Sequence, residues 1–134
     1  MSSGGADVKR ANRAGWRQIG GKLLYLKSAA EQRYASYLQW LMINKVIWMW
    51  YYEPKTFWFE GIKRGVVSYK PDFKIVNNDE TQYWVEVKGY MDGKSKTKIK
   101  RFAKYFPKET LIVVDKNWFA RNSGKLKGLV PGWE

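Results

Sequence analysis

Residues 66–88 read VVSYKPDFKIVNNDETQYWVEVK, which is two extended segments separated by an Asn-Asn-Asp-Glu turn. The first segment is rich in β-branched and aromatic residues and is interrupted by Pro71. The second segment, residues 82–88, alternates with the period of two that is typical of a β-strand. The sequence therefore predicts a β-hairpin that carries Asp72 on its first strand and Glu86 on its second.

A helix is predicted on the N-terminal side of this hairpin. Ser28 and Glu31 have the S-x-x-E spacing of a capping box, in which each residue caps the first turn of a helix. From Tyr34 to Met42, apolar side chains recur at helical spacing. We therefore predict a helix over residues 28–44.

On the C-terminal side of the hairpin, apolar residues recur at i, i+3, i+4 and i+7 from Ile99 to Phe106, which predicts an amphipathic helix with a basic outer face that ends at Pro107. Strands are predicted at residues 47–52, 56–60, 66–75, 82–88 and 110–115. The last is apolar on both faces, as in a central buried strand, and a short helix with a docked tail is expected after it. This order of elements predicts an α/β fold with a mixed central sheet flanked by helices.

The composition limits the chemistry that the chain can perform. Its 134 residues include 25 Lys and Arg against 12 Asp and Glu, for a net charge of +13, and no cysteine or histidine. Disulfides, thiol nucleophiles, Ser-His relays and Cys/His zinc sites are thereby excluded. The positive charge is spread along the whole chain, which favours nucleic acid over a membrane surface as the partner.

The chain length predicts one domain, at residues 21–134. Residues 1–20 combine Gly, Ser and Ala with basic residues, and we expect them to form a flexible basic arm. The longest apolar run, residues 46–52, is far shorter than the ~20 residues that span a bilayer. We therefore expect a soluble, cytoplasmic protein without a membrane segment.

Three carboxylates have a reason to converge. Adjacent strands would place Asp72 beside Glu86, and the period of two puts Lys88 on the same face as Glu86. Glu31 lies at the N-terminal end of the helical stripe that packs on the sheet. Converging carboxylates are typical of a site for a hard cation such as Mg²⁺, which activates a bound water and offsets charge on a phosphodiester. Lys88 would orient that water or stabilise the phosphate.

Pro71-Asp72 followed by Glu86-Val87-Lys88, with Glu31 on a preceding helix, resembles the pattern of the PD-(D/E)XK nuclease superfamily. The wider likeness is to small phage Holliday junction resolvases and endonuclease-I-like enzymes. It covers about residues 24–134 and includes the segments at 68–73 and 85–90, the basic helix and the Pro131-Gly132-Trp133 ending. The resemblance implies a single-domain nuclease fold with an α-β-β-β-α-β core.

The resemblance also implies an activity, which is Mg²⁺-dependent cleavage of branched DNA such as a four-way junction by a homodimer, with Mn²⁺ as a substitute metal. Asp72, Glu86 and the Val87 carbonyl would bind the metal, Lys88 would be the active-site lysine, and Glu31 would complete the site or hold a second ion. A phage-encoded enzyme would act in the host cytoplasm. The basic residues predicted to contact DNA are Lys70, Lys94, Lys96, Lys98, Lys100 and Arg101.

Each of these residues also has an ordinary structural interpretation. Glu31 is explained by the capping box alone, Glu86 and Lys88 by a solvated hairpin face, and Asp72 by turn chemistry. The basic helix face would then serve solubility, and the aromatic residues between 48 and 59 would pack in a core or dimer rather than stack on unpaired bases. The joint occurrence of the four site residues favours a nuclease. A nicking or double-strand endonuclease and a non-catalytic DNA-binding module are the alternatives.

Overall fold

The computed structural model describes residues 14–133, and within that range the chain forms eight strands and three helices. The strands are β1 (Gly15–Ile19), β2 (Lys22–Leu26), β3 (Met49–Tyr52), β4 (Phe57–Trp58), β5 (Ser68–Tyr69), β6 (Phe73–Val76), β7 (Gln82–Lys88) and β8 (Leu111–Asp115). The helices are α1 (Ala29–Ile43), α2 (Gly93–Tyr105) and α3 (Lys116–Leu126).

The central sheet has four strands in the order β3-β6-β7-β8. The pairs β3/β6 and β6/β7 are antiparallel, whereas β8 runs parallel to β7 after the crossover through α2. Two small antiparallel ribbons, β1-β2 and β4-β5, accompany this sheet. The predicted α/β fold with a mixed central sheet is therefore confirmed.

The predicted hairpin is β6-β7, and Phe73 lies opposite Val85 in its register. Its first strand differs from the prediction, because residues 66–75 divide into β5 and β6 with Pro71 between them. Proline has no amide hydrogen to donate to a ladder, so pairing stops there. Asp72 consequently lies in the bend immediately before β6 rather than within a strand.

The predicted first helix is confirmed as α1. Ser28 is its N-cap, and the Ser28 side chain accepts a hydrogen bond from the Glu31 amide. The helix buries Tyr34 and Leu38 against one face of the central sheet, in a cluster that includes Phe73 and other buried sheet residues. These contacts fix the N-terminal end of α1 beside the start of β6.

The opposite face of the sheet is covered by α2 and the β4-β5 ribbon. Phe102 on α2 is 1% exposed and packs in a cluster with Phe57, Tyr69 and Trp84. Trp84 and Glu86 are two positions apart on β7, so their side chains lie on the same face of the sheet. The aromatic cluster therefore borders the face on which Glu86 lies.

The structure differs from the predicted N-terminal arm at residues 15–19. These residues form β1, which pairs along its whole length with β2, and Ile19 is buried in the main core. Their basic and polar content suggested an arm, but side chains along β1 and β2 are more and less exposed in alternation, and one face of the ribbon packs on α1. Residues 1–13, the rest of the predicted arm, lie outside the described part of the chain.

The prediction that residues 110–115 form a central buried strand was wrong about position. They form β8, which is the edge of the four-stranded sheet within the described residues, and Ile112 is 46% exposed. A strand that is apolar on both faces can be central or can be an edge covered on one side, and only the sheet order distinguishes the two.

The expected C-terminal helix and docked tail are confirmed. After α3, Val130 and Trp133 are buried in a small cluster with Leu126. Among residues 14–133, none of the helices combines the length with the apolar composition that crossing a bilayer requires.

Replacing Phe102 by alanine should lower the free energy of unfolding by about 3–5 kcal/mol, because a fully buried aromatic side chain leaves a cavity in the cluster. Urea unfolding followed by circular dichroism would measure the change. Lys100→Ala, on the exposed face of the same helix, is the control and should stay within about 0.5 kcal/mol of the parent. Equal midpoints for the Phe102→Ala variant and the parent would contradict this packing.

Candidate active site

A cavity of about 360 Å³ opens where β5 and β7 end and α1 begins. The residues that the sequence singled out for catalysis and metal binding all line it. They are Glu31, Asp72, Glu86, Val87 and Lys88. The structure therefore brings together side chains from a helix, a bend and a strand that are distant from one another in the sequence.

Asp72 and Glu86 are neighbours because of the β6-β7 register. Phe73 pairs with Val85, so the next step of the same antiparallel register places Asp72 opposite Glu86 and on the same face. Both side chains are buried, at 4% and 8% exposure. The Val87 amide donates a hydrogen bond to Asp72 Oδ2 over 2.8 Å, and the Tyr69 hydroxyl donates to Glu86 Oε1 over 2.6 Å.

The burial of these two acids changes their proton affinity. Burial raises the pKa of Asp72 well above its ordinary range, and the nearby negative charges of Glu86 and Glu31 raise it further. Burial also raises the pKa of Glu86, although its hydrogen bond from Tyr69 and the charge of Lys88 oppose that shift. A pair of buried carboxylates with raised pKa values is stabilised by a positive charge placed between them.

Glu31 has a structural role that the sequence anticipated. The Ser28 hydroxyl accepts a hydrogen bond from the Glu31 amide over 3.1 Å, and Glu31 Oε1 accepts from the Lys27 amide and the Tyr52 hydroxyl, each over 2.8 Å. The Glu31 carboxylate thus accepts from the amide of Lys27, the residue before the N-cap, and not from the amide of the N-cap Ser28. Because it also lines the cavity, capping and a part in the site are compatible.

Two of the residues predicted to contact DNA lie at the cavity, and the others lie elsewhere. Lys70 and Lys98 line it. Lys94, Lys96 and Lys100 are on α2 outside it. Arg101 has a structural contact, since its guanidinium donates a hydrogen bond to the Val66 carbonyl and so ties α2 to the segment before β5.

Sequence reasoning missed two residues of the site. Tyr69, on β5, places its hydroxyl on Glu86, and burial together with the charge of Glu86 raises the pKa of this tyrosine, so the hydroxyl stays a donor. Lys27 lines the cavity and forms an ion pair with Glu53 at 2.5 Å. Tyr69 could have been identified from its position in a predicted strand, three residues before Asp72. The sequence around Lys27 contains no pattern that predicts a role in the site.

The donor set suits a small hard cation bound by two acids. Among residues 14–133, no three or more acidic side chains form a group that could hold a metal ion, so Glu31 does not join Asp72 and Glu86 as a third close ligand. Mg²⁺ commonly takes only one or two carboxylates and keeps several waters. The Asp72 and Glu86 oxygens that do not accept from Val87 and Tyr69 accept no other hydrogen bond within the described chain. These residues therefore fit Mg²⁺.

Comparison of the chain with protein-family models and with curated protein sequences finds no match. The family resemblance therefore stays a prediction from the sequence motifs. What bears on function is the arrangement of Asp72, Glu86, Glu31 and Lys88 around one cavity.

Asp72→Asn should stabilise the metal-free protein at pH 8 by on the order of 2 kcal/mol and leave its stability at pH 4 nearly unchanged. Folding raises the pKa of Asp72, so the folded state holds a proton that the unfolded chain releases. The free energy of unfolding should therefore fall as the pH rises from about 4, where an aspartate in an unfolded chain titrates, through neutrality. Asparagine removes the charge and still accepts from the Val87 amide.

Urea unfolding in EDTA at the two pH values would measure this effect. Glu60→Gln is the control, because Glu60 is exposed and is not part of the cavity lining. If Asp72→Asn destabilised the protein equally at both pH values, the carboxylate would be a favourable hydrogen-bond acceptor rather than a strained buried charge.

Proposed function

We propose that this protein is a Mg²⁺-dependent endodeoxyribonuclease of the PD-(D/E)XK type that cuts branched DNA as a homodimer. The observation that carries the proposal is the meeting of Asp72, Glu86, Glu31 and Lys88 at one cavity. Glu31, Asp72 and the segment that holds Glu86 and Lys88 are separated in the sequence, and the sequence motifs alone predict that they converge. Unrelated surface residues have no reason to meet in this way.

The order of elements supports the same proposal. Without the two small ribbons and the C-terminal helix α3, the chain reads α1, β3, β6, β7, α2, β8, which is the α-β-β-β-α-β order that the resemblance implies. Asp72 lies immediately before the second of these strands, β6, and Glu86 lies within the third, β7. The basic helix α2 then follows directly after the site.

The residues of the cavity have separable tasks in this proposal. Asp72 and Glu86 would hold Mg²⁺, with Mn²⁺ as a substitute, and the ion would supply an activated water and offset negative charge on the scissile phosphate. The Val87 amide and the Tyr69 hydroxyl each fix one oxygen of these acids. Lys88, whose charge acts on Glu86, would orient the attacking water or stabilise the phosphate.

The charge distribution supports DNA as the substrate. The chain carries a net charge of +13, and lysines lie along α2 next to the cavity, where Lys98 forms part of the lining. Lysines on one helix face contact phosphates without regard to base sequence. One chain has one such cavity in its described part, so paired cuts at a four-way junction would need two copies.

The decisive experiment is a cleavage assay of the purified full chain with Mg²⁺ on four-way, forked and linear duplex DNA of equal length. Preferential, symmetric cutting of the four-way junction supports a resolvase. Cutting of linear duplex at the same rate would assign a general nicking or double-strand endonuclease. Binding without cleavage in Mg²⁺ or Mn²⁺ would assign a non-catalytic DNA-binding module.

Asp72→Asn and Glu86→Gln should each reduce cleavage by more than about a hundredfold and leave DNA affinity nearly unchanged. Loss of an outer-shell partner already costs about 10–100-fold at a metal site, and these variants lose a direct ligand charge. Cleavage rates and filter binding of the same junction would be measured together. Glu60→Gln removes an exposed acid and should cut like the parent; parent-like cutting by either site variant would remove the metal site from the proposal.

Glu31→Gln separates the capping role of Glu31 from its role in the cavity. Glutamine still offers an oxygen to the Lys27 amide and the Tyr52 hydroxyl, so we expect near-parent stability but at least about tenfold slower cleavage. Glu31→Ala should in addition lose about 0.5–2 kcal/mol of stability. Full activity in Glu31→Gln would restrict Glu31 to capping.

A further inference from the structure

A second cavity, of about 450 Å³, lies on the face of the central sheet beside β3, which is an edge strand of this sheet within the described residues, and beside the β6-β7 turn. We call it the edge cavity. Trp48 and Tyr51 contribute its aromatic walls, and Lys74, Asn77 and Gln82 contribute polar groups. Glu80 is the one acid in its lining. None of these residues belongs to the candidate active site.

The two aromatic residues of the edge cavity face solvent. Trp48 is 59% exposed and Tyr51 is 38% exposed, whereas Trp50 between them is fully buried in the core. The aromatic run that the sequence analysis assigned to packing thus contains core residues such as Trp50 and also the exposed residues Trp48 and Tyr51. Large exposed aromatics grouped around a polar cavity are characteristic of a binding surface.

The edge cavity and the candidate active site share one face of the central sheet. Tyr51 lies opposite Lys74 on β6, and Lys74 lies opposite Trp84 on β7. Asp72 precedes Lys74 by two positions, which keeps both on the same face about 7 Å apart along the chain. Lys74 of the edge cavity is therefore separated from Asp72 of the candidate active site by about the length of two nucleotides of one DNA strand.

The chemistry of the edge cavity matches a nucleotide. Tyr51 has positive charge on two sides, with Lys74 Nζ 5.9 Å and Lys22 Nζ 5.5 Å from its ring centroid. Aromatic rings stack on the faces of unpaired bases, and lysines contact the adjoining phosphates. The amide of Asn77 donates to Thr81, which leaves its oxygen as an acceptor for a base edge.

We propose that the edge cavity binds unpaired nucleotides of the DNA substrate, with bases stacked on Trp48 and Tyr51 and a phosphate at Lys74. This inference rests on the proposed function and deepens it. It specifies a substrate class, which is DNA with an unpaired strand next to the cleavage site. Bases within a duplex are already stacked on their neighbours and do not present a free face to these rings.

The test measures binding rather than cleavage, so that it does not depend on catalysis. Fluorescein-labelled single-stranded oligothymidylate and a labelled duplex of equal length would be titrated with the full chain in EDTA and followed by anisotropy. Trp48→Ala and Tyr51→Ala should each raise the Kd for the single strand roughly tenfold. The Kd for the duplex should change by less than about twofold.

Matched variants control for general loss of aromatic surface and for misfolding. Trp16 and Trp58 are each 63% exposed and lie outside the edge cavity, so Trp16→Ala and Trp58→Ala should bind the single strand like the parent. Tyr51→Phe retains a stacking ring and should also bind normally. Near-parent affinity of Tyr51→Phe together with weak binding of Tyr51→Ala would attribute the loss to stacking.

The contribution of Lys74 is tested by salt dependence. Lys74→Gln should reduce the log–log slope of single-strand affinity against salt by about 0.7, the value for one phosphate contact on a single strand. Lys125→Gln removes the same charge from the exposed surface of α3 and should leave the slope unchanged. Equal slope changes in both variants would mean that Lys74 acts only through net charge.

Three results would overturn the inference. They are parent-like single-strand affinity in Trp48→Ala and Tyr51→Ala, equal losses in Trp58→Ala, and a change of oligomeric state in Trp48→Ala without a change in affinity. The last would assign the surface to a second copy of the chain.

The binding and cleavage measurements also separate this inference from the proposed function. If the expected binding pattern is found but no DNA is cleaved in Mg²⁺, the nuclease proposal fails and the edge cavity remains a single-strand site. If DNA is cleaved but the alanine variants bind like the parent, the nuclease proposal holds and the edge cavity has no part in binding the substrate.

Discussion

The pairing of β6 with β7 is the constraint on which the candidate site depends. Its register places Asp72 and Glu86 side by side in a region where both are nearly excluded from water. Two like charges in that position oppose folding, and only the surrounding packing can hold them there. Pro71 ends the preceding pairing and leaves Asp72 in a bend, where its carboxylate can accept from the Val87 amide. The site therefore depends on this register, since a shift of one strand by one residue would move Asp72 and Glu86 to opposite faces of the sheet.

Packing on both faces of the sheet holds this register in place. On one face, α1 contributes Tyr34 and Leu38 to the main core. On the other face, Tyr69 contacts both the aromatic cluster and the candidate site. Its ring centroid lies 5.5 Å from that of Phe102, and its hydroxyl donates a hydrogen bond to Glu86. A side chain with both functions transmits the rigidity of the aromatic cluster to a carboxylate. Strain at the site is thus offset by apolar contacts that lie outside it.

The sequence was informative where a local pattern has one structural solution. The capping box and apolar spacing predicted α1, and the alternation after a polar turn predicted the hairpin, so the juxtaposition of Asp72 and Glu86 followed. Position within the sheet was not predictable, since the apolar residues of β8 suit a central strand or an edge equally well. The partner of Arg101 and the hydroxyl contact of Tyr69 were also out of reach, because both depend on how distant elements pack. The same is true of β1, whose burial comes from its pairing with β2 and its contact with α1.

The distribution of charge adds a further consequence to the proposed function. The chain has a net charge of +13, but the cavity concentrates Asp72, Glu86 and Glu31 in a lining that also includes Lys70 and Lys98. In the proposed function, a phosphodiester drawn to these lysines would meet three buried acids, and the resulting repulsion would be removed only when positive charge lies between them. Cation binding and close approach of DNA should therefore strengthen each other, because each lowers the electrostatic cost of the other. Under the proposed function, the basic surface alone would hold DNA near the cavity without admitting the phosphate, so that binding and cleavage would depend on different groups of charges in the same fold.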